Sequence, residues 1–282
     1  MQLALNHEAV LVAPDYRFLP EASAEDILDD IDNFWSWLGN SLSKALNEDT
    51  SPSPEVKGLQ IDLNNILIEG ESAGGYLATQ LALGHTNDPH SRIRALISIY
   101  PMLDLRAPHW TQAYHKQIFD HPQYPTSLVD DHLATIIKAS PRPVITNDSM
   151  EGTGRSELAA ALVQQGRFLE AMGGDRSHLP GKRRIHTEDR LEDGAQLPPT
   201  LFVHGIQDDG VPVEGTDTFI GLIKKYGTIH GLQDGLKVIH FARLPGGHRF
   251  DNEVEQDADW VKESCEFLRR FWPTTHDDLV PN

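Results

Sequence analysis

Short apolar runs alternate with longer stretches of helical spacing along most of the chain. Residues 9–13 (AVLVA) form a continuous apolar run closed by Pro14, the pattern of a strand buried on both faces of a parallel sheet. Ser23-Ala24-Glu25-Asp26 then reads as a capping box, and Ile27, Leu28, Ile31, Phe34, Trp35 and Leu38 recur at helical spacing. A long amphipathic helix is expected from there to about Leu46, followed by a surface loop at residues 50–54 (TSPSP). Residues 65–69 (NILIE) read as a second buried strand, running through a Gly70–Gly75 turn into a helix that reaches about Leu83. Residues 95–99, 200–204 and 236–242 read as three more strands, with helices expected around 216–226 and 258–272. Strand and helix in alternation predict an α/β fold with a mostly parallel sheet flanked by helices.

Residues 102–198 interrupt this rhythm. They hold several prolines, a loop-like stretch at 107–125, an expected helix at 156–172 closed by Gly173-Gly174, and a charged loop at 182–193. So large an excursion between sheet strands calls for a reason, and a cap over a site supplies one; ordinary packing helices with a loose loop are the plainer reading. The expected organisation is one domain, residues 1–282, with a cap insert at 102–198.

Composition narrows the partners. With 24 Lys+Arg against 42 Asp+Glu, the net charge of −18 repels phosphate backbones and anionic headgroups, so neither nucleic acid nor membrane is expected. A hydrophobic share of 39% supports a sizeable core. The single cysteine, Cys265, rules out an internal disulfide and a thiolate-rich metal site, and it fits a reducing, cytoplasmic setting. The first twelve residues lack a basic n-region and carry Asn6, His7 and Glu8, so they read as neither signal peptide nor spanning helix.

Candidate chemistry starts at Gly70-Glu71-Ser72-Ala73-Gly74, a G-x-S-x-G sequence between an expected strand and helix. Such a turn is tight enough to require small residues on both sides of the serine. It lifts the hydroxyl out of the sheet and leaves helix N-terminal N–H groups, those of Ala73 and Gly74, facing whatever the serine attacks. A serine hydroxyl needs a histidine to take its proton, and the histidine needs a carboxylate to fix its tautomer. Asp208 lies just past the strand at 200–204 and His248 just past the strand at 236–242, both at strand C-terminal ends, where α/β sheets present their ligand sites. Asp209 competes with Asp208, and the spacing to Val211-Pro212 favours Asp208. The order Ser72, Asp208, His248 is that of α/β-hydrolases.

Five motifs then resemble those of the α/β-hydrolase fold-3 family, the hormone-sensitive-lipase-like group: Asp15-Tyr16-Arg17-Phe18-Leu19-Pro20-Glu21, Gly70-Glu71-Ser72-Ala73-Gly74-Gly75, Tyr100-Pro101-x-Leu103-Asp104, residues 204–212 and residues 246–251. The resemblance implies Ser72 as nucleophile, His248 as general base and then acid, Asp208 as the orienting acid, and no cofactor or metal. In that family an H-G-G-G segment precedes D-Y-R by a few dozen residues and supplies most of the oxyanion hole. Here Met1 lies fourteen residues before Asp15 and no His-Gly-Gly occurs, so the first strands of the family's sheet are expected to be missing, with Ala73 and Gly74 left as donors.

Other residues read as structural. Asp15, Arg17 and Glu21 suggest an ion-pair network anchoring a turn, and Asp29, Asp30 and Asp32 a solvated helix start. Phe34, Trp35 and Trp37 suggest core packing, and His204 a loop-shaping histidine, while Glu71 is expected either to line the pocket or to be solvated or paired. Three functions remain open. The first is a serine esterase acting on a small or medium hydrophobic ester, with a homodimer kept open as its assembly. The second is a binding protein on a hydrolase scaffold. The third uses the same triad for acyl transfer, cyclisation or elimination in secondary metabolism.

Overall fold

Four parallel strands, β1 (Ile66–Glu71), β2 (Ile93–Ile99), β3 (Thr200–Gly205) and β4 (Ile239–Leu244), pair in that order in the computed structural model of the protein. It describes residues 2–48, 59–147, 154–175, 177–179, 182–227, 238–253 and 258–272. The strands expected from apolar runs at 65–69, 95–99 and 200–204 are β1, β2 and β3; of the run at 236–242, residues 236 and 237 lie outside the described residues and β4 begins at Ile239. β3 is buried along its whole length, its apolar Leu201, Phe202 and Val203 together with the polar Thr200 and His204.

The period of two along the strands divides the core into two layers. Ala95, Ile97, Leu201 and Val203 face one side with Ala242, packed by Phe267 and Leu268 of the closing helix (Asp259–Phe271). Leu96 and Phe202 face the other side, where the helices after β1 (Ala73–His85) and after β3 (Val213–Tyr226) cover them with Leu77, Leu81, Phe219 and Ile223. Phe202 and Phe219 are fully buried and meet edge-on at 6.1 Å. Burying each such ring contributes about 1.5–3 kcal/mol.

In chain order the helices are α1 (Gln2–Asn6), α2 (Ala24–Asn47), α3 (Ala73–His85), α4 (Pro108–Thr111), α5 (Thr126–Lys138), α6 (Arg155–Gln164), α7 (Phe168–Ala171), α8 (Thr187–Glu192), α9 (Val213–Tyr226) and α10 (Asp259–Phe271). The capping box of α2 forms as its sequence implies: the Asp26 N–H donates to Ser23 Oγ at 3.2 Å and the Ser23 N–H to the Asp26 carboxylate at 2.8 Å. Helices α4 to α8 all lie between β2 and β3, in the expected insert.

Several expectations are corrected. Residues 9–13 are not a strand: Val10 and Leu11 are 43% and 68% exposed, and β1 at the sheet edge pairs with β2 alone among the described residues. An apolar run without a ladder partner has nowhere to place its backbone bonds. The helix at 156–172 is two helices, α6 and α7, broken at Gly166, where φ is +65° and a Cβ would stand 2.3 Å from the Gln112 carbonyl carbon. The loop-like stretches at 107–125 and 182–193 each hold a short helix, α4 and α8. The surface loop expected at 50–54 lies outside the described residues.

The acidic residues early in α2 are paired: Asp29 with Arg184 at 2.9 Å, Asp30 with Arg17 at 2.8 Å, Asp32 with His85 at 3.0 Å. Arg17 therefore ties the turn to α2, while Glu21, nearly buried, ties it to the insert through Arg155 and His132. Trp35 is buried as expected, whereas Trp37 is 40% exposed and stacks on Phe34 at 6.3 Å.

Candidate active site

The turn from β1 into α3 places Ser72 at φ 55° and ψ −119°, left-handed backbone that costs a non-glycine residue about 1–3 kcal/mol. Neighbouring bonds hold it there: the Ser72 N–H donates to Ile99 O at 2.9 Å, and Ser72 O accepts from Tyr76 N–H at 3.1 Å and Met102 N–H at 3.3 Å. A Cβ on Gly70 would stand 2.1 Å from Gly74 O, and one on Gly75 3.0 Å from Pro101 Cα, whereas Gly74 has open space around it. The need for a small residue thus falls on Gly70 before the serine and on Gly75 after it, while Gly74 of the G-x-S-x-G sequence is not required by space. Ser72 Oγ bonds to no other described residue. The Ala73 and Gly74 N–H groups precede the first intrahelical bond of α3, Tyr76 N–H to Ser72 O, and have no acceptor in the helix.

The loops after β3 and β4 are laced together. Ile206 N–H donates to Leu244 O at 2.8 Å and Gln207 N–H to Gly246 O at 2.9 Å. Gly205 permits this approach, since a Cβ there would lie 2.3 Å from Gly246 O. The lacing sets His248 Nδ1 2.7 Å from Asp208 Oδ2, with the Asp208 side chain fully buried and that of His248 7% exposed. The second carboxylate oxygen accepts the N–H groups of Gly210 at 3.0 Å and Val211 at 2.8 Å.

Burial pushes the Asp208 carboxyl up, but His204, His248 and the Val211 N–H together outweigh it and hold the group at about 2. An ionised carboxylate only accepts, so Nδ1 of His248 donates to it, and Nε2 is the ring nitrogen turned away from Asp208. His204 is fully buried, bonded through Nδ1 to Thr216 Oγ1 and through Nε2 to Val211 O, both at 2.9 Å, which makes it a brace for the Asp208 loop. Asp209 Oδ1 accepts the Phe119 N–H at 3.2 Å.

Three residues that the sequence reading left aside complete the surroundings. The Tyr100 ring, just past β2, lies 4.4 Å from the His248 ring, and its hydroxyl donates to Glu71 Oε2 at 3.2 Å. Burial, with the Asp251 and Glu71 carboxylates beside it, raises the Tyr100 hydroxyl well above its ordinary value. Ser72 and His248 are therefore both fastened to the same end of β2, one at Ile99 and one at Tyr100. Phe119, from the insert, lies 4.9 Å from the His248 ring. His109, also from the insert, shares a 3.0 Å hydrogen bond with Gly210 O, and burial pulls its imidazole down to about 4. Tyr100 had a signal, its place in the Tyr100-Pro101-x-Leu103-Asp104 segment; Phe119 and His109 had none.

Among the described residues, no group of three or more His, Cys, Asp or Glu could hold a metal ion, and no helix is long and apolar enough to cross a membrane. Cys265 is a half-buried free thiol on α10.

The chain is similar to a protein from Phoma sp. named probable carboxylesterase, 32% identical over 273 residues that cover 96% of this chain and 78% of that protein. It is likewise similar to a probable carboxylesterase of Cochliobolus lunatus, 33% identical over 205 residues covering 72% of this chain and 86% of that one. A solved structure titled as a protein with unknown function, from Staphylococcus aureus subsp. aureus Mu50, shares the fold at TM-score 0.58 and 18% identity, over 92% of this chain and 76% of its own. A family model described as alpha/beta hydrolase fold matches residues 1–167, more than half of the chain. With its parallel sheet, its strand-to-helix elbow and these relatives, the chain belongs to the α/β-hydrolase fold family and is a carboxylesterase-like hydrolase.

Proposed function

We propose that the chain is a serine carboxylesterase, with Ser72 as nucleophile, His248 as base and acid, and Asp208 as the group that orients the imidazole. The observation that carries this reading is the 2.7 Å bond from His248 Nδ1 to the buried Asp208 carboxylate, on the sheet edge that also holds the strained Ser72 elbow. With Nδ1 tied down, Nε2 takes the Ser72 Oγ proton as Oγ attacks the ester carbonyl carbon. The negative charge moves to the carbonyl oxygen, for which the unengaged Ala73 and Gly74 N–H groups are the assigned donors. The C–O bond to the alcohol then breaks and His248 returns the proton to the leaving oxygen. Water attacks the acyl-serine, gives its proton to Nε2, and releases the carboxylic acid as Ser72 is reprotonated.

Tyr100 and Phe119 flank the imidazole with aromatic surface, which suits the esters of small or medium hydrophobic molecules. A neutral ester also avoids the repulsion that a charge of −18 imposes on anions. The insert over residues 102–198 serves as the cap, since Phe119 and His109 reach from it to the His248 and Asp208 loops. The cytoplasm is the location that goes with this reading.

Hydrolysis of p-nitrophenyl butyrate by the wild-type chain and by Ser72→Ala tests the assignment. Turnover that falls about 10³-fold or more in the variant is the expected result. Equal turnover by the two proteins, or none by folded wild type, overturns it. A stable acyl-enzyme without acid release would favour acyl transfer by the same residues.

A further inference from the structure

The half of α3 remote from Ser72 borders a cavity of about 240 Å³, walled by α2, α3, α8 and the segment leading into α8. Gln80 lies eight residues beyond Ser72, about 12 Å along the helix axis at 1.5 Å per residue. Leu28 and Ile31 form an apolar side; Gln80, Arg184 and Arg190 bring hydrogen-bond donors.

These donors are incompletely used. Gln80 is 1% exposed; its Oε1 and backbone oxygen accept from Arg190 Nη1 at 2.7 and 2.9 Å, while its Nε2 has no partner. The neighbouring Tyr76 hydroxyl is engaged with Ile185 O at 2.8 Å. Arg190 meets no carboxylate within 4.0 Å among the described residues, and burial lowers its guanidinium from the ordinary value, with Arg184 adding repulsion and Asp32 opposing it. Arg184 is bonded at Nη1 to Asp29 at 2.9 Å, but its buried Nη2 stands 3.4 Å from Asp32 Oδ2 without a hydrogen bond. Asp32 is itself engaged by His85 Nε2 at 3.0 Å.

We propose that this cavity binds a small organic monocarboxylate, its oxygens on Arg190 and Gln80 Nε2 and its apolar part against Leu28 and Ile31. Charge selects the class. Asp29 is taken up by Arg184 and Asp32 by His85, so among the described residues Arg190 is the cation of this cavity with no carboxylate within 4.0 Å, and a single negative charge pairs it. A phosphate dianion would carry a second charge toward Asp32 and find no donor on the Leu28 and Ile31 side. The carbonyl end of α3 opposes an anion, and Arg190 already neutralises part of it by bonding Gln80 O. The volume equals about eight waters, enough for a chain such as hexanoate.

Calorimetric titration of the Ser72→Ala protein with sodium hexanoate at fixed ionic strength tests this, with hexanamide and sodium phosphate as comparison solutes. Saturable one-site binding of hexanoate is expected, at least 10-fold tighter than hexanamide or phosphate. Gln80→Glu places a carboxylate beside Arg190 and should weaken hexanoate at least 10-fold without lowering Tm. Phe119→Ala, beside His248 and outside the cavity, should leave it unchanged. No saturable binding, equal binding by Gln80→Glu, equal binding of phosphate, or loss in Phe119→Ala overturns the proposal. Because the protein lacks the Ser72 hydroxyl, failure of ester hydrolysis leaves this result standing.

Discussion

Nδ1 of His248 and Oδ2 of Asp208 stand 2.7 Å apart although 40 residues separate them in the chain. Parallel pairing of β3 with β4 brings their loops to one edge of the sheet, and the Gly205 and Gly246 approach closes the remaining gap. The carboxylate is fully buried and held by two further N–H donors, so its position is fixed before any substrate arrives.

Replacing Asp208 with Asn keeps an acceptor for the Gly210 and Val211 N–H groups but removes the charge that sets the His248 tautomer. kcat for p-nitrophenyl butyrate should fall about 10³–10⁴-fold with the far-UV spectrum unchanged. Steady-state kinetics check this, and a loss under tenfold would mean that His248 does not depend on Asp208.

The glycines of the elbow should behave oppositely. In Gly70→Ala the new methyl would meet Gly74 O at 2.1 Å, backbone that cannot give way, and unfolding free energy should drop by about 3 kcal/mol or more. Gly74→Ala meets nothing within 4 Å and lies in the first turn of a helix, so it should be neutral or stabilising by up to about 1 kcal/mol. Urea midpoints of the two variants decide the matter.

Acid should destabilise the fold in two steps. The His109 imidazole is held down at about 4, chiefly by burial, so between the ordinary value of 6.5 and that point the unfolded chain binds a proton that the folded chain refuses. Stability is therefore lost as pH falls through this window, by about 2 kcal/mol after allowance for solvent screening. Asp208, held at about 2 against 3.8, contributes stability above the higher value that is lost as pH falls through the lower one, again about 2 kcal/mol. Urea titrations of wild type and His109→Gln at pH 7, 5 and 4 should show the first step in the wild type alone.

Phe119 tests the cap. Its ring is 40% exposed and packs 4.9 Å from His248, with its backbone N–H on Asp209. Phe119→Ala should raise KM for p-nitrophenyl butyrate about tenfold and change kcat less than threefold, since it removes apolar surface and leaves His248 and Asp208 bonded. Kinetics with the split reversed would place Phe119 in the chemistry instead.

Much of this was legible in the residues themselves. The elbow declared itself because strand, glycines and helix are contiguous, and β3 because TLFVHG is buried from end to end. The capping box at Ser23 is equally local. What failed was non-local. AVLVA has the pattern of a buried strand, but pairing depends on a neighbour that the run itself does not encode. The break at Gly166 depends on Gln112, 54 positions earlier, closing on it in space. Phe119 and Asp209 meet across 90 residues, and Arg17 chooses Asp30 over its sequence neighbour Asp15, both matters of packing.

Intact-mass and peptide mapping after treatment with a fluorophosphonate tests most directly that Ser72 is the nucleophile served by His248 and Asp208. One adduct per chain is expected, on the peptide containing Ser72, absent in Ser72→Ala and formed about 10³-fold more slowly in His248→Ala. A folded wild-type chain that takes no adduct, or takes it on another residue, would contradict the assignment.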